Sequence, residues 1–202
     1  MRKLNITLLI VLALALQVAI GVGVYGIATP DAVQVAKEPD KPVQNKVDLT
    51  PRYPIPAQVQ PIVSNIGIDP NLINENQIIV DQGVGICPLP AVSCYSNKKI
   101  WIPLSTLNGS QGYSSLAHEY LHFIWFNKLT YQERQDLSAP LNQFYQSNPS
   151  FQSRFKDYPP EVIQYELFPV LCTEVSDNKL PSTVLQYCAK YLPNRNTLPS
   201  FY

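Results

Sequence analysis

Residues 116–129 constrain the fold more than any other part of this chain. They contain both of the chain's 2 histidines in a mainly apolar run without glycine or proline. Such a run predicts an α-helix, and Ser114 just before it is a candidate N-cap. Because large apolar residues surround the histidines, we expect this helix to be buried. A buried histidine needs a polar or charged partner, so another part of the chain is expected to supply one.

The two histidines, His118 and His122, are four residues apart, and Glu119 directly follows the first, which is the H-E-x-x-H pattern. On a helix, residues at this spacing lie on one face, so both imidazoles can bind one zinc ion (Zn2+). Glu119 can reach a water molecule at such an ion without being a ligand itself. That position suits a general base in the hydrolysis of a peptide bond. The pattern therefore predicts a metal site with His118 and His122 as ligands and Glu119 as the catalytic residue.

A third ligand is expected to be a carboxylate or a less usual group, because no histidine follows His122. Glu166 lies in an apolar stretch, where a charged side chain is costly to bury unless it has a partner such as a metal ion. Glu174 follows two helical turns later and is the alternative ligand. Glu161 comes directly after Pro160, where a carboxylate is favoured by the helix dipole and needs no metal.

Two β-branched runs precede the motif helix, at residues 78–80 and at Lys99–Pro103. They predict strands joined as an antiparallel hairpin. Pro103 lacks a backbone donor, which favours an edge strand or a strand end for the second run.

Helical signals dominate the chain after the motif. Residues 130–133 form a capping-box pattern, and Pro160 and Pro181 stand where a first helical turn tolerates proline. The predicted class is α+β, with a small antiparallel sheet, the motif helix and a helical C-terminal part.

The cysteines lack the close C-x-x-C spacing of structural zinc sites, so we expect them to form disulfides. We predict the local pairs Cys87–Cys94 and Cys172–Cys188, although four cysteines allow three pairings. Disulfides are typical of proteins outside the cytoplasm.

The N-terminal segment predicts export. Arg2 and Lys3 precede an apolar stretch long enough to span a bilayer, and positive residues at a short end stay inside. We expect a signal anchor or transmembrane helix at residues 1–29, a tether rich in proline and charge at 30–56, and one folded domain at 57–202. The predicted location is the cell membrane, single-pass, with the domain on the extracytoplasmic side. The alternative is a domain secreted after signal cleavage.

Charge makes nucleic acid a poor candidate partner. Lys plus Arg and Asp plus Glu number 15 each, and the sequence has no run of basic residues of the kind that binds along a phosphate backbone. The expected partners are a polypeptide substrate and, through the N-terminal helix, the membrane.

The motif, the strand Lys99–Pro103 before it and the glutamate-bearing helix at residues 165–168 together resemble the gluzincin metallopeptidases, especially compact single-domain members. The resemblance implies a zincin-like fold, a zinc-dependent endopeptidase activity and Glu166 as third ligand, 44 residues after His122. It also implies that an extended substrate pairs along residues 100–104. The residues do not separate cleavage of proteins from cleavage of cell-wall peptide, which is the alternative substrate class.

Three features depart from the family pattern. Pro169 stands where comparable helices carry a small residue, so a kink is expected there. The segment from Glu174 resembles a ligand segment of larger relatives but is one residue shorter. The oxyanion-stabilising group is not evident, and Tyr165 or Tyr113 is the candidate. A non-catalytic extracellular binding or assembly domain, with a structural or lost metal site, is the alternative function.

Overall fold

The computed structural model describes residues 51–81, 87, 93–109 and 111–199. The predicted membrane segment at 1–29 and most of the tether lie outside the described residues. Among the described residues, no helix is both long and apolar enough to cross a membrane.

The sheet is mixed rather than antiparallel. It consists of β1 (Gln77–Asp81), β2 (Cys94–Ser96) and β3 (Lys99–Pro103), in the order β1-β3-β2. β1 pairs with β3 in parallel, and β2 pairs with β3 in antiparallel fashion. The predicted antiparallel pairing of the two β-branched runs is therefore wrong, and so is the predicted edge position of β3, which is the central strand.

The physical reason lies in the turn before β3. Asn97 and Lys98 both have positive φ, at 49° and 58°, as in the tight two-residue turns that join antiparallel strands. This turn makes the short β2 the hairpin partner of β3 and leaves the other edge of β3 to β1. β2 has no β-branched residue, so its strand character could not be recognised in the sequence. Pro103 is tolerated because it is the last residue of β3.

Helices make up most of the rest of the described chain. They are α1 (Gln60–Ile66), α2 (Pro70–Ile73), α3 (Leu104–Leu107), α4 (Gly112–Asn127), α5 (Tyr131–Ser147), α6 (Pro149–Gln152), α7 (Pro160–Glu174) and α8 (Ser182–Tyr191). Short 3-10 turns occupy Ser153–Phe155, Asp177–Lys179 and Arg195–Thr197. The predicted α+β class is confirmed.

The motif helix α4 begins at Gly112, two residues before the predicted N-cap. A Cβ at Gly112 would lie 2.6 Å from the carbonyl oxygen of Leu107, so only glycine allows this close approach to α3. Ser114 lies inside the helix, and its buried hydroxyl has no hydrogen-bond partner in the described chain. The N-cap prediction is wrong because close packing at Gly112 decides where the helix starts.

α4 is the central element of the core. It packs against α7 and also contacts α1, α3, β2 and β3. Leu116, Ala117, Tyr120, Leu121 and Phe123 are fully buried, as the apolar run predicted. A helix with partners on several sides holds its side chains in fixed positions, which suits a site built on it.

The capping box and both disulfides are confirmed. The Thr130 hydroxyl accepts a hydrogen bond from the Glu133 amide, and the Glu133 carboxylate accepts one from the Thr130 amide. Cys172–Cys188 joins α7 to α8, with a Cα–Cα distance of 5.2 Å, and Cys87–Cys94 fixes the start of β2, at 5.6 Å. α7 continues through Pro169, which leaves one carbonyl in its preceding turn without a helical donor.

Candidate metal centre

The two histidines of the motif lie together on one face of α4. Their Nε2 atoms are 3.1 Å apart, and their ring centroids are 4.8 Å apart. The side chains of His118 and His122 are 19% and 10% exposed, so the pair opens partly to solvent. The spacing of four residues therefore places both imidazoles as the sequence predicts.

Glu166 reaches the same point from α7. Its Oε2 lies 3.1 Å from Nε2 of His118, and its Oε1 lies 3.4 Å from Nε2 of His122. The Trp125 and Phe168 rings pack with centroids 5.6 Å apart and fasten the two helices close to this point. The packing of α4 on α7 thus brings together residues that are far apart in the chain.

The three donors fit a zinc ion. Two ligands at about 2.0 to 2.1 Å from a tetrahedral zinc lie roughly 3.3 to 3.4 Å from each other. The two Nε2 atoms are 3.1 Å apart, and they lie 3.1 and 3.4 Å from different oxygens of Glu166. With one donor atom taken from each residue, the three atoms lie within 4.8 Å of one another. Within the described residues, His118, His122 and Glu166 form the one group of metal-binding side chains of this kind. Two imidazoles and a carboxylate are a donor set that zinc accepts, and three protein ligands leave one coordination position open.

The two imidazoles and the Glu166 carboxylate also interact electrostatically with one another. Burial would lower the pKa of His118, but the hydrogen bond to Glu166 and the nearby carboxylate charges outweigh it and raise this pKa. Burial would likewise raise the pKa of Glu166, but hydrogen bonds to His118 and His122 and their charges lower it well below its usual range. The site therefore favours a negative carboxylate next to a cation.

Glu174, the alternative ligand, is directed elsewhere. Its carboxylate forms an ion pair with Arg154, and it does not belong to the cluster of donors. Glu161 is exposed in the first turn of α7, as its position after Pro160 suggested. Of the candidate glutamates, the structure places Glu166 alone next to the two histidines.

Glu119 is 5% exposed and lies on α4 next to the first histidine. Its Oε1 accepts a hydrogen bond of 2.7 Å from the hydroxyl of Ser93. Sequence reasoning missed Ser93, because nothing in the sequence around Cys94 distinguishes this serine from an ordinary loop residue. The contact depends on how β2 packs against α4.

Two aromatic side chains adjoin the centre. The Phe126 ring stacks on the imidazole of His122, with centroids 6.3 Å apart and an interplanar angle of 14°. Tyr165 packs on Phe126 at 5.4 Å, and the two residues are 38% and 49% exposed, respectively. They form a partly open aromatic surface beside the two histidines.

The tyrosines proposed for oxyanion stabilisation have different surroundings. Tyr113 accepts a hydrogen bond of 2.9 Å from the amide of Asn65 on α1, so its hydroxyl is engaged at another contact. Tyr165 lies beside the centre, next to Glu166 in the chain. Sequence reasoning overlooked Tyr158, whose phenol has a pKa raised by burial and then by the negative charge of Glu166.

Comparison with known proteins finds no matching family model, no similar curated protein and no similar solved structure.

Proposed function

We propose that this protein is a zinc-dependent endopeptidase of the gluzincin type. The observation that carries the proposal is the convergence of His118, His122 and Glu166 beside the buried Glu119. The two Nε2 atoms lie 3.1 Å apart, and they contact the two oxygens of Glu166 at 3.1 and 3.4 Å. Three protein ligands with room for a fourth are typical of catalytic zinc sites, whereas structural sites use four. The H-E-x-x-H helix also carries Glu119, the general base that such hydrolysis requires.

The chain's own residues have separate roles in this proposal. His118, His122 and Glu166 would hold the zinc ion. When bound, zinc acts as a Lewis acid that makes water nucleophilic near neutral pH and polarises a carbonyl. Glu119 takes the proton of the attacking water on its carboxylate and then donates it to the leaving amine. Tyr165, which packs on Phe126 beside His122, would donate a hydrogen bond to the developing oxyanion.

Substrate would pair with β2 rather than with β3. β3 is flanked by β1 and β2, so the contact expected along residues 100–104 would need an edge that is already paired. β2 has one strand neighbour in the described chain, and Ser93 just before it contacts Glu119. An extended polypeptide added to β2 on the side away from β3 would lie along the proposed general base.

The cellular setting remains the one predicted from the N-terminus. The two disulfides suit an oxidising compartment outside the cytoplasm. We therefore propose a domain held on the outer side of the membrane by residues 1–29.

Metal analysis of matched variants tests the proposal. The full chain, purified in detergent with oxidised cysteines, should carry about one zinc ion per molecule. Glu166→Ala should lose the zinc, whereas Glu161→Ala, on the same helix but exposed, should keep it. Glu119→Gln should keep the zinc and lose hydrolysis of a mixture of fluorogenic peptides.

Two results would contradict the proposal. Zinc retained equally by Glu166→Ala would show that the cluster is not the metal site. Zinc bound by the wild type without any peptide hydrolysis would favour the non-catalytic binding or assembly domain instead.

A further inference from the structure

The carboxylate of Glu119 is buried and is held at one oxygen. The hydroxyl of Ser93 donates to Oε1 at 2.7 Å, and this is the one side-chain hydrogen bond that the described residues give Glu119. Glu119 is 5% exposed, so solvent contributes little to fixing its position. A buried carboxylate without a donor would be costly, and the serine hydroxyl supplies that donor.

Ser93 is itself fixed by its neighbours in the chain. Cys94 directly follows it, forms the disulfide with Cys87 and pairs in register with Trp101 of β3. A serine in this position has much less freedom than one in an unrestrained loop. The disulfide and the sheet together restrain the backbone next to Ser93.

A second contact fastens β2 to the motif helix. The Tyr95 ring packs edge-on against Phe123 at 6.3 Å, and the Tyr95 hydroxyl accepts a hydrogen bond of 2.8 Å from Asn127. Phe123 and Asn127 lie on α4, as does Glu119. Ser93, just before β2, and Tyr95, within it, therefore both contact α4. The distance between Ser93 and Glu119 is restrained because β2 and α4 are held against each other.

We propose that Ser93 is a positioning residue that holds Glu119 in the orientation needed for proton transfer, and that the Cys87–Cys94 disulfide and β2 keep Ser93 in place. The inference rests on the proposed function. Ser93 acts through Oε1 of Glu119 and leaves Oε2 free to exchange a proton with the reacting water and the leaving amine. Because misplacing a reacting group by about 1 Å can cost about a hundredfold in rate, such a restraint affects turnover more than binding.

The kinetic test uses the zinc-loaded full chain. Ser93→Ala should lower kcat on a fluorogenic peptide by about 10- to 100-fold, with KM and zinc content unchanged. Ser93→Thr keeps the hydroxyl and should restore most of the lost rate. Ser96→Ala, at the exposed end of the same strand, is the matched control and should behave as the wild type. A kcat for Ser93→Ala equal to that of Ser96→Ala overturns the inference, and so does loss of zinc from Ser93→Ala.

A second readout does not depend on hydrolysis. Glutamate labelled with 13C at Cδ gives a carboxyl resonance for Glu119, which is assigned by its absence in Glu119→Gln. Ser93→Ala should shift this resonance, Ser93→Thr should return it towards the wild-type position, and Ser96→Ala should leave it unchanged. An unshifted resonance in Ser93→Ala overturns the inference whatever the activity.

The two readouts distinguish the two proposals. If the wild type hydrolyses no peptide although the resonance responds to Ser93→Ala, the proposed function fails while the restraint on Glu119 stands. If the wild type is active and neither kcat nor the resonance responds to Ser93, the proposed function stands and the positioning role fails.

Discussion

Glu166 is the residue of α7 that contacts both histidines of the H-E-x-x-H motif. It is a charged side chain on a largely apolar helix, and its carboxylate contacts the imidazoles of His118 and His122 at 3.1 and 3.4 Å. Glu174, two turns further along the same helix, is more deeply buried than the half-buried Glu166, and it pairs with Arg154 instead. Both glutamates therefore have the partner that a charge removed from solvent needs, and their partners separate the proposed metal ligand from a glutamate in an ion pair.

Zinc affinity should fall as the pH is lowered. Histidine binds metal only when neutral, and the carboxylates around His118, Glu166 foremost, raise the pKa of this histidine although burial opposes them. Protons therefore compete with zinc below that raised pKa, and zinc is retained above it. Competition with a coloured chelator between about pH 5 and 8 measures the effect. Glu161→Gln should follow the wild-type curve, and an affinity independent of pH would rule out histidine ligands.

At the scale of elements, the hairpin between β2 and β3 decides the layout of the sheet. Its two central residues, Asn97 and Lys98, adopt positive φ, a conformation that asparagine tolerates and lysine rarely adopts. The turn places β2 on the outer edge, next to the motif helix, and β3 in the centre. An unfavourable residue in the turn is accepted because cross-strand pairing and packing on α4 stabilise the hairpin.

Lys98→Gly should stabilise the domain. Glycine adopts the left-handed conformation without the steric cost that lysine has, so we expect a gain of about 0.5 to 1 kcal/mol in the free energy of unfolding, after the greater freedom of glycine in the unfolded chain is subtracted. The backbone carbonyl of Lys98, which accepts from the Gln77 amide at 2.9 Å, is kept. Urea unfolding of both variants measures the difference, with Lys99→Gly in β3 as a control that should be destabilised. A loss of stability in Lys98→Gly would show that the lysine side chain matters more than its backbone conformation.

At the scale of the whole molecule, the centre joins α4 to α7, the two helices at the middle of the core. Metal bound there would link the folded elements, because its ligands come together only in the folded state. The Cys172–Cys188 disulfide also fixes α7 to α8. Metal binding and folding should therefore be coupled.

Zinc should raise the unfolding temperature. A ligand at about 100 times its Kd that binds only the folded state contributes about 2.7 kcal/mol, which for a domain of this size corresponds to roughly 5 to 10 °C. Differential scanning calorimetry with and without a chelator measures the shift. Glu161→Ala should show the same shift and Glu166→Ala almost none, and an equal shift in both variants would place the metal elsewhere.

Features that depend on neighbours in the chain were determined by the sequence itself. The spacing of His118 and His122 and the capping box at residues 130–133 follow from local geometry. The four cysteines allowed three pairings, and the structure selects the two local ones. Three features were decided only by the tertiary structure. They are the position of Glu166 rather than Glu174 beside the two histidines, the central position of β3, and the contact of Ser93 with Glu119. Each of these depends on how elements far apart in the chain pack together, and residue spacing carries no information about that packing.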